Sequence, residues 1–337
     1  MTIKNRPEFK KFISRVAKSS DEFRASSTEK RHSKQYRTAR ENLHHLIDED
    51  TFLEFGQFAV AAQRSRRDYE ELQDKTNADG IITGFCSINS ALVGEDDAKA
   101  VAIVYDYSVL AGTQGFFHHA KLDRICEQAK KFHLPVIIFT EGGGGRPGDT
   151  DVLTQIAGLH IPSFSSWAQL TGTCLKIAVN NGYCFAGNAV LFGCADFKIA
   201  TKDSWIGMAG PAMIEGGGLG SFEPKEIGPI EVQQKNGVVD YVAENEEEAT
   251  IIAKQLLAYF QGPIEEFTFS DQGQLREMMP DDRRYTYEVR DIIDTIADAD
   301  TFLELRNHYG KSIVTGFIRI EGKPFALLAS DCKQLGG

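Results

Sequence analysis

PVIIFTEGGGGRPG, residues 135–148, decides how this chain is read. The apolar run ending at Thr140 has the length and β-branched content of a buried strand. Four glycines follow it without a break, Gly142 to Gly145. With no side chains over them, backbone N–H groups can face a cavity, which is how main chain alone builds an oxyanion hole or an anion cradle. A surface turn is the competing reading. Arg146 and Pro147 stiffen the exit, and a helix expected around 150–158 follows, which favours the cradle.

Upstream, the sequence predicts a helix over 36–50 with Leu43, Leu46 and Ile47 on one stripe. It also predicts a charged loop or hairpin over 64–78, strands at 82–89 and 101–107, and a helix through Phe116–Lys131. A strand, crossover helix and strand in this order favour parallel pairing. Downstream, a helix near 166–176 leads to a strand at 177–181 and a glycine turn at 182–187. A small-residue helix to Gly193, a strand at 195–200 and a glycine-rich stretch over 205–220 complete the pattern. Residues 244–261 read as a helix with acids in its first turns and Ile251, Ile252, Leu256 and Leu257 as its apolar face. Polar residues 262–285 read as a linker. TFLEL at 301–305 then repeats TFLEF at 51–55, and IVTGFIRIEGKPFALLA at 313–329 echoes IITGFCSINSALV at 81–93. Tandem related domains are expected, the second opening near 287 and stopping after two strands.

A chain of 337 residues can bury a sizeable core. Its six cysteines form no CxxC pair and read as reduced core residues, which argues against a zinc ribbon. The start MTIKNRPEFKKF has no apolar targeting core, and no stretch approaches membrane-spanning length. The expected location is cytoplasmic, or the mitochondrial matrix in a eukaryote, although no transit peptide is seen. Net charge is −11, but residues 1–40 carry twelve Lys or Arg against four acids. Such a basic arm either contacts the phosphates of a nucleotide-like ligand or solvates a helical extension. Scarce aromatics in the arm and an acidic body argue against nucleic acid.

Two glycine turns at the carboxyl ends of successive parallel strands suggest donors converging on one oxygen: Gly143 and Gly144 from the first, Ala186 and Gly187 from the second. Rival chemistries lack their patterns. There is no GxSxG, no GK[ST], no GxGxxG and no HExxH. His118 and His119 suit packing or hydrogen bonding, and Asp106 and Glu141 are as readily strand-end caps as catalysts.

The chain resembles the carboxyltransferase (β) subunit of biotin-dependent acyl-CoA carboxylases. EGGGGR at 141–146 corresponds to the family's DSGGAR, and AGTQG with HAK, from Ala111 to Lys121, to GGSLG and HAK. GYCFAGNA with CADF, from Gly182 to Phe197, corresponds to GPCAGGA and LTDF. GVVDYVAENEEEA at 237–249 and TARENLHHLIDEDTFLEF at 38–55 match further blocks. The resemblance implies an α/β fold of the crotonase-like (ClpP/crotonase) type, a β-β-α superhelix. It implies a basic helical arm at 1–50, an acyl-CoA carboxyltransferase domain at 51–285 and the start of a second, related domain at 286–337.

It further implies transfer of a carboxyl group from carboxybiotin, carried by a partner domain, to the α-carbon of acetyl- or propionyl-CoA. The enolate would be held by Gly143, Gly144, Ala186 and Gly187 without a side-chain base, and no metal would be needed in this chain. Gly112, Gly142, Gly145, Arg146, Gly182 and the Ala209–Gly210 step are the implied substrate-binding positions. Implied partners are acyl-CoA, a biotin carboxylase or carrier subunit, and further copies of the chain as dimers and hexamers. Gly142 stands where the family has Ser, Gly145 where it has Ala, and Asn188 where it has a small residue; a serine restored at 142 is expected to be tolerated. Alternatives are a biotin-dependent acyl-CoA decarboxylase component, a crotonase-type hydratase or isomerase using Glu141 or Glu215, and a non-catalytic assembly fragment.

Overall fold

The computed structural model describes residues 6–152, 161–282 and 284–335. Most of the helix expected at 150–158 lies outside them. Seven strands form one sheet in sequence order: β1 (Leu53–Phe55), β2 (Ile81–Ser87), β3 (Lys99–Tyr105), β4 (Val136–Phe139), β5 (Lys176–Phe185), β6 (Phe197–Gly207) and β7 (Tyr241–Ala243). The β1–β2 and β2–β3 pairs are antiparallel, and every pair from β3 to β7 is parallel. Antiparallel pairing needs only short links, whereas each parallel pair needs a crossover, which the helices after β3 and β5 supply. Both faces of the sheet are covered, so the β4 run VIIF is apolar throughout. Ile137 and Phe139 join the layer holding Leu43, Leu46 and the Glu246–Ala258 helix, while Val136 and Ile138 join the layer of the Phe116–Phe132 helix.

Three helices form the arm: α1 (Pro7–Ala17), α2 (Ala25–His32) and α3 (Ala39–Leu46). Thr38 and Glu41 form a reciprocal capping box that starts α3 at a defined residue. Several elements differ from the sequence expectation. Residues 69–75, read as loop or hairpin, are helical, with Leu72 buried under the turn. The helix expected at 166–176 is the short Ser163–Ala168, because Gly172 at φ +78 ends any continuation before β5. Residues 182–185 are strand rather than turn, β5 running through a register shift at Asn180/Gly182. Ile251, placed on the buried face of its helix, is exposed; Ala249, Ile252, Ala253 and Leu256 fill that face.

The internal repeat extends to individual hydrogen bonds. Strands β8 (Leu303–Leu305), β9 (Ile313–Ile320) and β10 (Lys323–Ser330) form an antiparallel sheet in the order β10-β9-β8. Glu54 pairs with Gly84, and Glu304 pairs with Gly316. Each glycine is required by the pairing, since a Cβ would lie 2.4 Å from the Leu53 carbonyl in the first copy and 2.2 Å from the Leu303 carbonyl in the second. Arg40 forks onto Glu54 at 2.7 and 3.0 Å, and Arg290 onto Glu304 at 2.9 and 2.6 Å. Asp48 caps the backbone of Asn89 and Ser90; Asp298 caps that of Glu321 and Gly322.

Candidate active site

The glycine run leaves β4 and passes between two neighbours that set its direction. On the β5 side, the Gly142 N–H donates to the Tyr183 carbonyl at 2.7 Å, and the Phe185 N–H donates to the Gly142 carbonyl at 3.0 Å. On the β3 side, the Gln114 N–H donates to the Gly144 carbonyl at 2.8 Å, and the Arg146 N–H to the Gln114 carbonyl at 2.9 Å. In a parallel bridge the residue bracketed by two such bonds turns its own N–H the other way. That residue is Gly145, bridged to Gln114, so its N–H is directed away from Gln114.

Proximity of the two turns follows from this ladder. Gly144, at φ +90, sits so close to the second turn that a Cβ would lie 2.8 Å from the Ala186 Cβ and 3.7 Å from the Gly187 nitrogen. Ala186 itself has φ 51 and ψ −118, a conformation that costs an alanine energy and that the surrounding ladder enforces. Its strain turns the chain from β5 into the Gly187–Gly193 helix, and Gly187 becomes the first helical residue.

Of the four donors the sequence proposed, three are already engaged. Gly143 donates to the Ala111 carbonyl at 3.0 Å, Gly144 to Asn188 Oδ1 at 3.0 Å and Ala186 to the Gly207 carbonyl at 3.0 Å. Gly187, as the opening residue of its helix, has no helical acceptor. Among the described residues no partner is present for the N–H of Gly187 or Gly145. Among the described residues, a Cβ at Gly145 would meet nothing within 4 Å, so open space adjoins this glycine. The free pair is therefore Gly145 with Gly187. The sequence reading missed this because the acceptors that occupy the others come from Ala111, Asn188 and Gly207.

The remaining expected positions are structural supports. Gly112, at φ +62, lets the Glu141 carbonyl approach to 2.4 Å of where a Cβ would stand. Gly182, at φ +84, makes room for the Glu141 carboxylate, whose Oε1 would lie 2.6 Å from a Cβ there. Gly210, beside Ala209, packs on the Phe185 ring. The Arg146 side chain is nearly fully buried; it pairs with Asp79, lies 3.5 Å from Asp149 and donates to the Thr113 carbonyl at 2.7 Å. It braces the exit of the run. A serine at 142 meets resistance, contrary to expectation: its Cβ would lie 2.2 Å from Asn188 Nδ2 and 2.3 Å from the Gly112 carbonyl.

Glu141 is held by Arg31 of α2 in a two-pronged pair at 2.9 and 2.8 Å. Burial pushes its carboxyl up to about 7, against the pull of Arg31. Glu141 is thus a buried carboxylate locked onto a guanidinium, whereas Glu215 is exposed. His119 bonds Ser163 Oγ at 2.9 Å, and burial lowers its pKa to about 4. Six of the twelve basic residues of the arm are also engaged. Arg15, Lys18, Arg24, Arg31, Arg37 and Arg40 bond Phe58, Asp74, Asp106, Glu141, Glu247 and Glu54 of the body, respectively. These contacts fasten the arm to the body and leave those cations little freedom to reach a ligand phosphate. Among the described residues, no His, Cys, Asp and Glu cluster of three or more could hold a metal ion, and no helix is long and apolar enough to cross a membrane.

Strands in sequence order, parallel from β3 onward, with paired glycine turns at the carboxyl ends of β4 and β5, define a crotonase-like α/β protein. Residues 30–337 match the Carboxyl transferase domain, and the chain belongs to that family. The methylmalonyl-CoA carboxyltransferase 12S subunit of Propionibacterium freudenreichii subsp. shermanii is 30% identical over 320 residues, covering 92% of this chain and 58% of the relative. A propionyl-CoA carboxylase beta chain of Roseobacter denitrificans is 27% identical, covering 89% of this chain and 58% of the relative. Among solved structures, a single-chain, multi-domain long-chain acyl-CoA carboxylase superposes with a TM-score of 0.95 at 47% identity, covering 99% of this chain and 33% of that one. The chain thus spans 58% of the length of these two curated relatives.

Proposed function

We propose that this chain supplies the acyl-CoA site of a biotin-dependent carboxyltransferase, in which a carboxyl group moves between carboxybiotin and the α-carbon of an acyl-CoA thioester. The observation carrying the proposal is the pair of free N–H groups, Gly145 and Gly187, at the ends of adjacent parallel strands with open space beside Gly145. Removing the α-proton of a thioester pushes negative charge onto its carbonyl oxygen, and two preorganised donors stabilise that charge more than the neutral carbonyl. Asn188, Gln114 and Arg146 hold the two turns; Gly145 and Gly187 bind the oxygen. Carboxybiotin, brought by a carrier, supplies both the carboxyl group and the base, which fits a site built from main chain rather than from a side-chain base.

In this reading residues 1–50 are a docking arm, 51–285 the acyl-CoA domain and 286–337 the opening of a second copy. The repeated Arg–Glu fork and Asp cap support the last assignment. A biotin carrier and further copies of the chain are the expected partners, in a cytoplasmic enzyme. Direction is open between carboxylation and decarboxylation, since a methylmalonyl-CoA decarboxylase subunit alpha of Veillonella parvula is also 25% identical. Acyl length has two readings. Acetyl- or propionyl-CoA accords with the curated relatives, whereas a long-chain acyl-CoA is favoured by the 47% identical structural relative.

Titration calorimetry with acetyl-, propionyl- and palmitoyl-CoA, the last below its micelle concentration, tests the proposal and separates these lengths. At least one thioester is expected to bind in the micromolar range, with its free acid binding far more weakly. Absence of binding by every thioester would overturn it.

A further inference from the structure

We propose that Gln114 is the positioning residue that sets the separation of the two donors; the inference rests on the acyl-CoA reading above. Gln114 is buried and is joined to both halves of the site. Its backbone brackets Gly145 with two hydrogen bonds, at 2.8 and 2.9 Å, which fixes the direction of the Gly145 N–H. Its side chain reaches the other half: Oε1 lies 2.2 Å from the point a Gly187 Cβ would occupy, so the amide rests directly against the Gly187 backbone. Nε2 donates to the Tyr105 hydroxyl at 2.9 Å, which fixes the orientation of the amide. Burial raises the Tyr105 pKa, so the phenol keeps its proton, and its ring packs on His118 with centroids 4.5 Å apart.

One residue thus ties Gly145 by main chain and Gly187 by side chain to a buried anchor. The family stretch GGSLG carries Leu where this chain has Gln114, and a leucine could fill the space but could not bond Tyr105. Asn188 holds the interior of the run through Gly144 and the Thr140 carbonyl, at 3.0 Å each. Gln114 brackets Gly145 and packs against Gly187, the two residues whose N–H groups are free among the described residues.

The test reads the polarisation of a bound carbonyl. Acyl-CoA labelled with carbon-13 at its carbonyl is bound to the wild-type chain, and the C=O stretch is followed by difference infrared spectroscopy. Two converging donors are expected to shift the band to lower frequency. Gln114→Met keeps the backbone bonds and approximate volume but loses the Tyr105 anchor, and should reduce the shift. Gln114→Glu places negative charge beside Gly187 and should abolish it. Affinity for a CoA thioether, which has no thioester carbonyl, should be unchanged in both. In the assembled enzyme, Gln114→Met should lower kcat on the order of tenfold with KM retained. If Gln114→Glu does not fold, Gln114→Met decides alone. A full shift in the folded Gln114→Met chain overturns the inference and leaves the acyl-CoA reading standing. Binding without any shift in the wild type removes the donor pair and this inference with it. Failure of the wild type to bind any thioester overturns the acyl-CoA reading itself, and the inference falls with it.

Discussion

A glycine's value in this site depends on what a Cβ would meet. At Gly145 it meets nothing among the described residues, so Gly145→Val should fold with a Tm close to wild type yet lose acyl-CoA binding, the side chain entering the open space. At Gly143 the nearest atoms are Thr113 Cγ2 at 3.3 Å and the Ala111 carbonyl at 3.6 Å, so Gly143→Ala should change both quantities little. Gly142 and Asn188 behave as a pair, because the Asn188 amide fills the space a side chain at 142 would need. Gly142→Ser alone is expected to cost about 2 kcal/mol in urea unfolding, as overpacked sites do. Adding Asn188→Gly should recover part of that cost, the Gly112 carbonyl keeping the remainder. Strict additivity in the double-variant cycle would show that the two positions do not share space. Beside His118, whose pKa burial also lowers, His119 contributes to the acid side of the pH dependence. Its folded pKa of about 4 lies below the unfolded value, so the unfolded chain binds the extra proton between those two values. Its share of the stability is therefore present above about pH 6.5 and falls as pH drops toward 4, by up to about 3 kcal/mol. His119→Gln should reduce that slope in thermal melts across the window, His118 keeping the remainder.

At the scale of the element, the arm is a clamp. Its α2 helix sends Arg31 through to Glu141, the residue that opens the glycine run, so arm and run share a buried ion pair. Removing the guanidinium leaves a buried carboxylate without its counterion, which typically costs about 3 kcal/mol or more. Arg31→Met should show that loss in urea unfolding at pH 8, and the loss should shrink toward pH 6 as Glu141 takes up a proton. Acyl-CoA affinity in the folded variant should depend on salt no differently from the wild type, because the six paired arm cations serve docking. The helix, strand and crossover order was legible in the sequence because it rests on local periodicity. The short helices at 69–75 and 163–168 were less so, their bounds being set by a buried Leu72 and by Gly172 in a left-handed conformation.

Across the whole molecule the two copies of the Arg–Glu fork sit in unequal surroundings. The first belongs to a seven-stranded sheet covered on both faces; the second belongs to three strands whose outer member, β10, leaves Phe325 and Leu328 exposed. Hydrogen exchange should therefore open β8–β10 at a lower free energy than β3–β6. Gly316→Ala, which drives a Cβ against the Leu303 carbonyl, should abolish protection in β8 and β9 while sparing the large sheet. Equal exchange in the two sheets would mean that they open as one unit. By itself the sequence determined the family, the crotonase-like order of strands and helices, the repeat and the pair of turns that meet, since each is written in local pattern and motif. Only the tertiary structure decided which N–H groups stay free. A donor is available only if no acceptor reaches it, and those acceptors arrive from Ala111, Asn188 and Gly207, brought together by the parallel ladder rather than by any spacing along the chain.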